Sequence, residues 1–338
     1  MMRIRGSVAI DLGTVNTLIW VAGRGIVLDE PSTIAIDAAN GAIVAIGGAA
    51  EALAEKEPQE INVIHPLRDG VIADLEATAE MLYGFLRKAG SSTGRLRSRV
   101  LVCVPSGATW VERRSVAAAL EARRRYAVEL IDEPVAAAAG AGLDLAAGQG
   151  GFIVDVGGGT AEVAAVAGWR VVRAESLRTA GNAMDEAIVN AARSDLGLIL
   201  SQRAARQLKA QLGLTGGPDG WAEAVGLDAA RRTPRIEKVP GELVAAALDP
   251  VVSAIGRTVQ EVLSDIPAGL AEDVVRGKVR LTGGGALLPG LASRIEAIAE
   301  LGAVVAEDPL RCVVRGAALM LDSNRADGRA GGPERRAQ

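Results

Sequence analysis

Two segments of the chain are built to the same pattern. Residues 8–17 read VAIDLGTVNT and residues 152–163 read FIVDVGGGTAEV. In each, an apolar run ends in an aspartate, a glycine-bearing turn follows, and polar and small residues lead onward. The apolar run predicts a buried strand, and the turn predicts backbone N–H groups directed outward. An aspartate at the carboxyl end of a strand stands where open α/β sheets bind ligands. Two such units, separated by enough chain for a domain, restrict the fold to two related lobes. A third glycine turn, LTGGGALLPG at 281–290, leads into a helical pattern.

The chemistry of these turns favours a polyphosphate. Outward N–H groups form a nest for phosphate oxygens, and two facing nests would clamp a polyphosphate from both sides. Asp11 and Asp155 would then hold Mg²⁺ through its water shell, because that ion retains several waters. Either motif alone reads equally well as an ordinary strand-to-turn junction; the three glycine turns together favour phosphate. No G-x-x-x-x-G-K-[ST] loop occurs, and the glycine spacing is not that of a dinucleotide fingerprint. Hairpin turns are therefore expected to grip the phosphates.

Composition narrows the partners. The chain has 338 residues, 49% of them hydrophobic, enough for more than one lobe. Aromatic residues make up only 2%, so the core must come from Ala, Val, Leu and Ile, which suits helix-on-sheet layers. A net charge of −4 gives no general affinity for polyanions and argues against nucleic acid. Cys103 and Cys312 read as small buried hydrophobes. The opening MMRIR leaves no room for a signal peptide, and apolar stretches break before bilayer length. The expected location is cytoplasmic.

Strand-like runs (SVAIDLG, STIAIDA, AIVAIG, RVLVCVP, FIVDVGGG, AEVAAVAG, WRVVRAES, KVRLTGGG) alternate with helical patterns, as in layered α/β folds. Residues 87–99, 212–220 and 228–240 read as loops and 323–338 as a disordered tail. His65 lacks a partner motif and carries no catalytic expectation. Glu112, Arg113 and Arg114 read as a solvated helix face, with a filament contact as the sharper alternative. Trp110 and Trp221 are expected near turns and partly exposed.

The order of IDLGTVNTLIW, GIVLDEPSTIAID, PLRDGVIAD, VPSGATWVERR, LIDEPVAAAAGAGL, VDVGGGTAEVA, AGNAMDEAIV and LTGGGALLPGL resembles the actin, sugar-kinase and heat-shock ATPase superfamily. Within it, the chain resembles the MreB family of bacterial actin homologues from about residue 8 to 322. That resemblance implies an α/β, two-lobed actin-like ATPase fold of duplicated ribonuclease-H-like domains, with four subdomains and a nucleotide cleft between lobes. It places lobe I at 1–140 plus about 312–322, with a subdomain at about 32–65. Lobe II covers 141–311, with a subdomain at about 184–244. It implies ATP or ADP with Mg²⁺, slow hydrolysis coupled to self-assembly into filaments, and organisation of cell-wall elongation at the inner face of the membrane. Membrane-linked shape proteins are the implied partners.

Residue by residue, the resemblance makes Asp11 and Asp155 the Mg²⁺-organising acids. Gly13, Thr14, Val15, Asn16 and Thr17 would line one phosphate hairpin, and Gly157, Gly158, Gly159 and Thr160 the other. Gly283, Gly284 and Gly285 would lie along the α-phosphate and nucleoside, with Lys209 near the base or ribose. Glu133 would orient the attacking water; the plain reading of Asp132, Glu133 and Pro134 is a helix N-terminus. The chain departs from the family where Arg206 and Gln211 replace acids beside Lys209, and where Asn182 replaces an aspartate. The 87–99 loop carries Leu96 alone instead of an apolar pair, so membrane contact would rest on weak attraction of Arg95, Arg97 and Arg99 to anionic lipid. A nucleotide-binding scaffold without turnover and a small-molecule kinase are the competing classes. A heat-shock chaperone would need a further β domain.

Overall fold

The computed structural model describes residues 7–54, 60–90, 98–121 and 126–326. Strands β1 (Ser7–Leu12), β2 (Asn16–Val21) and β3 (Gly25–Pro31) form an antiparallel meander. Then come β4 (Ile34–Asp37), β5 (Ile43–Ile46), α1 (Gly48–Ala54) and β6 (Ile61–Ile64), a small sheet ordered β5-β4-β6 with one helix. A hairpin of β7 (Leu67–Arg68) and β8 (Val71–Ile72) leads to α2 (Leu75–Lys88), which Asp74 caps. The chain continues through β9 (Ser98–Val104), α3 (Trp110–Glu121), β10 (Tyr126–Asp132) and α4 (Glu133–Gly140). The principal sheet is ordered β10-β9-β1-β2-β3, and both added strands run parallel to β1.

The second half repeats this plan. Strands β11 (Gly150–Val156), β12 (Ala161–Ala167) and β13 (Arg170–Leu177) are followed by α5 (Gly181–Leu196), β14 (Leu198–Ile199) and α6 (Gln202–Leu212). Next are β15 (Trp221–Asp228), β16 (Pro234–Pro240), α7 (Gly241–Ser264) and α8 (Ala268–Gly277). Then β17 (Val279–Thr282), α9 (Leu291–Ala299), β18 (Ala303–Val305) and α10 (Cys312–Ala326) complete the chain. The sheet order is β13-β12-β11-β17-β18, with β17 parallel to β11 and β18 parallel to β17. In each half the Asp-bearing strand is central, flanked by its hairpin partner and by a parallel strand.

The contacts divide the chain into two compact units, 1–149 with 168–171 and 311–338, and 150–167 with 172–310. The first division falls at 149/150 instead of the 140/141 seam because the turns after α4 bond back onto it. The Leu143 N–H, for example, donates to the Ala138 carbonyl at 3.1 Å.

Small residues decide the packing. In the first unit, alternate residues Val8, Ile10 and Leu12 of β1 enter one cluster with Met81, Leu82 and Phe85 of α2. Where α4 meets α10, a Cβ on Gly140 would overlap the Cys312 carbonyl, and one on Gly316 would overlap the Ala136 carbonyl. Close backbone approach therefore explains the small residues of the EPVAAAAG run. Cys103 and Cys312 are both buried. In the second unit a larger cluster joins β11 and β12 to α5, α6 and α7.

Three expectations are corrected. Residues 87–99 are not one loop: α2 holds through Lys88 and β9 begins at Ser98, while 91–97 lie outside the described residues. Residues 234–240 of the 228–240 segment form β16, whose charges on both sides and flanking prolines obscured a strand paired residue for residue with β15. The tail is ordered through Ala326, because buried Val314, Ala317, Ala318 and Leu321 continue the face of α10; 327–338 lie outside the described residues. Among the described residues, no helix is long and apolar enough to cross a membrane.

Candidate functional site

In the first unit, Gly13, Thr14 and Val15 join β1 to β2, and Asp11 lies in register with Leu18 and Cys103. A Cβ on Gly13 would come 2.6 Å from the Asn16 carbonyl oxygen, so any side chain there would force the backbone to shift. Its back is held by hydroxyls. The buried Ser32 donates through Oγ to the Gly13 carbonyl at 2.6 Å and shares a 2.8 Å hydrogen bond with Thr17 Oγ1. The Ser32 N–H donates to the Val15 carbonyl at 2.8 Å. Thr14 Oγ1 accepts from the Gly70 N–H at 3.0 Å, tying the turn to the β7–β8 hairpin. Asn16 Nδ2 donates to Asp29 at 3.0 Å. The Gly13 and Val15 carbonyls are thus occupied, whereas the Thr14 and Val15 N–H groups have no partner among the described residues.

The carboxyl edge of this sheet also carries Glu133. Asp11 aligns with Cys103 and Cys103 with Ile131, so Glu133 opens α4 just beyond that row. The adjacent acids differ. Asp132 makes no capping hydrogen bond and instead binds Arg113, whose guanidinium also reaches the Ala108 carbonyl. Glu133, buried at 7% exposure, is left as the acid at the helix start, with Pro134 behind it. Glu112 and Thr109 close a reciprocal capping box at α3. Of the expected charged face only Arg114 is solvated, pairing with Glu121 at 3.4 Å. Trp110 is 77% exposed beside it.

In the second unit, Gly157–Thr160 join β11 to β12, closed by the Gly157 N–H on the Thr160 carbonyl at 2.8 Å. The Gly158 and Gly159 N–H groups have no partner among the described residues. This turn is held by a helix start: the Gly181 N–H donates to the Gly157 carbonyl at 3.1 Å and the Asn182 N–H to the Gly158 carbonyl at 2.8 Å. Gly283 lies against the same strand end. With φ +76°, its Cβ would overlap the Val156 carbonyl and come 2.9 Å from Asp155 Oδ1. Gly285 also packs on Val156, and Gly284 is exposed between them.

Asp155 is buried, and its Oδ1 has no hydrogen-bond partner among the described residues. Burial pushes its carboxyl up to about 6; the nearby Thr282 hydroxyl, short of hydrogen-bond geometry, tempers the shift, and the Glu162 charge adds to it. A dehydrated carboxylate with one orphan oxygen fits a cation. No group of three or more His, Cys, Asp or Glu is placed to hold a metal among the described residues, so Asp155 suits an ion that keeps its waters.

Lys209 is partly buried against the start of α5. Its Nζ donates to the Gly181 carbonyl at 2.7 Å and meets Asp185 Oδ1 at 2.6 Å. Burial lowers its pKa, and Asp185 opposes the shift. Arg206 reaches the other Asp185 oxygen at 3.3 Å. The acid that balances Lys209 thus comes from α5, while Arg206 and Gln211 occupy the positions on α6. Arg99 is likewise engaged, held by two 2.7 Å hydrogen bonds to Glu129, and Arg95 and Arg97 lie outside the described residues. Sequence reasoning missed Ser32, Gly181 and Asp185, which lie behind the turns, and Thr282, beside Asp155.

The family model described as MreB/Mbl protein matches residues 5–329. The cell shape-determining protein MreB of Escherichia coli K12 is 40% identical over 321 residues, covering 93% of this chain and 92% of that protein. Crystal structures of MreB5 of Spiroplasma citri bound to ADP and to AMPPNP superpose with TM-scores of 0.89 and 0.88 at 30% identity. They cover 97% of this chain and 99% and 100% of theirs. A MamK double helical filament shares the fold at TM-score 0.80 and 20% identity, over 94% and 99% of the two chains.

Proposed function

Because the chain belongs to the MreB/Mbl family, we propose that it is an actin-like, ATP-binding protein that assembles into filaments and organises cell-wall elongation to maintain cell shape. The observation that carries this reading is the duplicated turn: each sheet ends its central strand in an Asp–x–Gly turn with unpartnered N–H groups. Those groups suit phosphate oxygens. MreB5, 30% identical to this chain, has been crystallised with ADP and with AMPPNP, which supports a nucleotide ligand.

In this reading Gly13–Thr17, Gly157–Thr160 and Gly283–Gly285 bind the nucleotide. Asp155, and Asp11 on the equivalent strand, hold Mg²⁺ through water. The ion would supply charge neutralisation at the phosphates. Glu133, at the start of α4, orients a water for slow hydrolysis. The proposed partners are further copies of the chain and membrane-linked wall-elongation proteins. The proposed location is the cytoplasmic face of the membrane.

The test is sedimentation and light scattering of the purified chain with Mg-ATP, with Mg-ADP and without nucleotide, with phosphate release followed in parallel. Filaments should depend on nucleotide, and Glu133→Ala should slow phosphate release by about tenfold or more while retaining ATP binding. Equal pelleting without nucleotide, together with normal hydrolysis by Glu133→Ala, would overturn the coupling. Nucleotide-dependent filaments with no phosphate release would leave a scaffold. Phosphate transfer to sugars or acetate would indicate a kinase.

A further inference from the structure

We infer that Thr282 is a positioning residue for the proposed metal site, its hydroxyl being the donor that holds Asp155 when a hydrated divalent cation lies on that acid. The inference rests on the nucleotide and metal reading above and deepens it. Asp155 and Thr282 stand side by side, in register, on the parallel strands β11 and β17. Both are buried, at 7% and 0% exposure. Asp155 Oδ1 and Thr282 Oγ1 each have no hydrogen-bond partner among the described residues. Two orphan oxygens side by side in a packed sheet are unfavourable, and native folds retain such atoms chiefly where function needs them.

The neighbours of Asp155 leave Thr282 as the donor. Across the antiparallel pair, Asp155 faces Glu162 of β12, a fully buried acid whose charge repels its own. Ser176 of β13 donates its single hydroxyl proton to Glu162 and has none left for Asp155. Gly283, which follows Thr282, offers no side chain. With φ +76°, a Cβ there would come 2.9 Å from Asp155 Oδ1, so glycine keeps that niche open for the carboxylate. Of the residues in register with Asp155, only Thr282 therefore carries a proton to give. When Asp155 holds full charge beside a hydrated cation it is a strong acceptor, and a small rotation brings the Thr282 hydroxyl into a charge-assisted hydrogen bond with Oδ1. That bond fixes the side-chain torsion of Asp155 and leaves its second oxygen for the water of the ion.

The experiment compares the full chain with Thr282→Val, which keeps the shape and removes the proton, and with Thr282→Ser, which keeps the proton. ADP affinity is measured with Mg²⁺ and with EDTA. Binding of Mn²⁺ without nucleotide is followed by water-proton relaxation, and thermal unfolding is recorded without ligand. Thr282→Val should weaken binding of Mg-ADP and of Mn²⁺ by about tenfold, while ADP in EDTA changes less than about twofold. Its melting temperature should hold or rise, because an orphan hydroxyl has left the sheet. Thr282→Ser should recover most of the metal-linked affinity. Equal loss of ADP affinity with and without Mg²⁺, together with a lowered melting temperature, would make Thr282 a packing residue and overturn the proposal. Unchanged affinities for Mg-ADP and Mn²⁺ would overturn it as well. If the unaltered chain binds no ADP, the nucleotide reading itself fails, and the Mn²⁺ comparison still decides the role of Thr282. Binding of neither ADP nor Mn²⁺ would overturn both.

Discussion

The turn after β1 and the turn after β11 share a pattern but are secured by different physics. The first is braced by neutral hydroxyls, Ser32, Thr17 and Thr14, each within a normal hydrogen bond of its partner. The second is braced by helix-start amides, a buried ion pair and a glycine pressed against the strand. Neutral hydrogen bonds contribute about 1 kcal/mol each and fail one at a time. A buried pair and a close backbone contact fail together, because removing one member exposes the rest to strain or unpaired charge. The first turn should therefore tolerate substitution in steps, and the second should not.

The largest contrast is expected between two glycines. Gly283→Ala combines a φ of +76° with overlap of the Val156 carbonyl, and should cost about 3 kcal/mol or more. Gly13→Ala meets one carbonyl but needs no left-handed φ, and should cost less, about 1–2 kcal/mol. Chemical denaturation of both variants checks this. Equal losses would erase the distinction between the turns.

Next comes the acid. Asp155 has a folded pKa raised from 3.8 to about 6, so the folded state binds more protons than the unfolded state between those values. The favourable contribution of this group is full below about pH 4 and is lost as pH rises through 6. At pH 7 the buried charge costs on the order of 2–3 kcal/mol. Asp155→Asn should therefore stabilise the nucleotide-free protein at neutral pH by that amount and flatten its stability between pH 4 and 6. The same change should weaken binding of Mg-ADP. A variant that loses stability at pH 7 would mean that the carboxylate has a partner in solution.

Much of this asymmetry lies outside what the sequence could disclose. Asp11, Asp155 and the glycine turns were legible because strand, acid and turn are contiguous, and the fold followed from their repetition. Lys209 was legible as a residue, but the acid that pairs with it was not, because that acid stands on another helix. Ser32 has no local signature; it matters because β3 brings the chain back beside β2, so that the residue after its last strand position meets Gly13. Strand β16 was obscured for a different reason. Its buried side contributes only Val239, while Arg235, Glu237 and Lys238 mask the alternation. Contacts across elements decide which acid is dehydrated, and periodicity carries no record of them.

Ser32→Ala probes the milder turn. It removes the hydrogen bonds to the Gly13 carbonyl and to Thr17, leaving buried polar atoms without partners, and should cost about 2 kcal/mol. Ser32→Thr keeps the hydroxyl and should recover part of that loss in the same thermal unfolding assay. If Ser32→Ala were as damaging as Gly283→Ala, the first turn would be as cooperative as the second.

The smallest expected effect tests how the second turn is held. Asn182 lies in the first turn of α5, where no acid complements the helix dipole. Asn182→Asp should stabilise the nucleotide-free protein by about 0.3–1 kcal/mol at low salt. The gain should fade in high salt, since exposed charges are screened beyond about 10 Å at 0.1 M. The N–H of residue 182 donates to the Gly158 carbonyl in either variant, so the hydrogen bond itself is retained. A salt-sensitive gain would place the helix dipole among the forces that fix the second turn. A salt-independent change of either sign would mean that the side chain at 182 acts by contact, and the brace would then consist of the ion pair and the two amides alone.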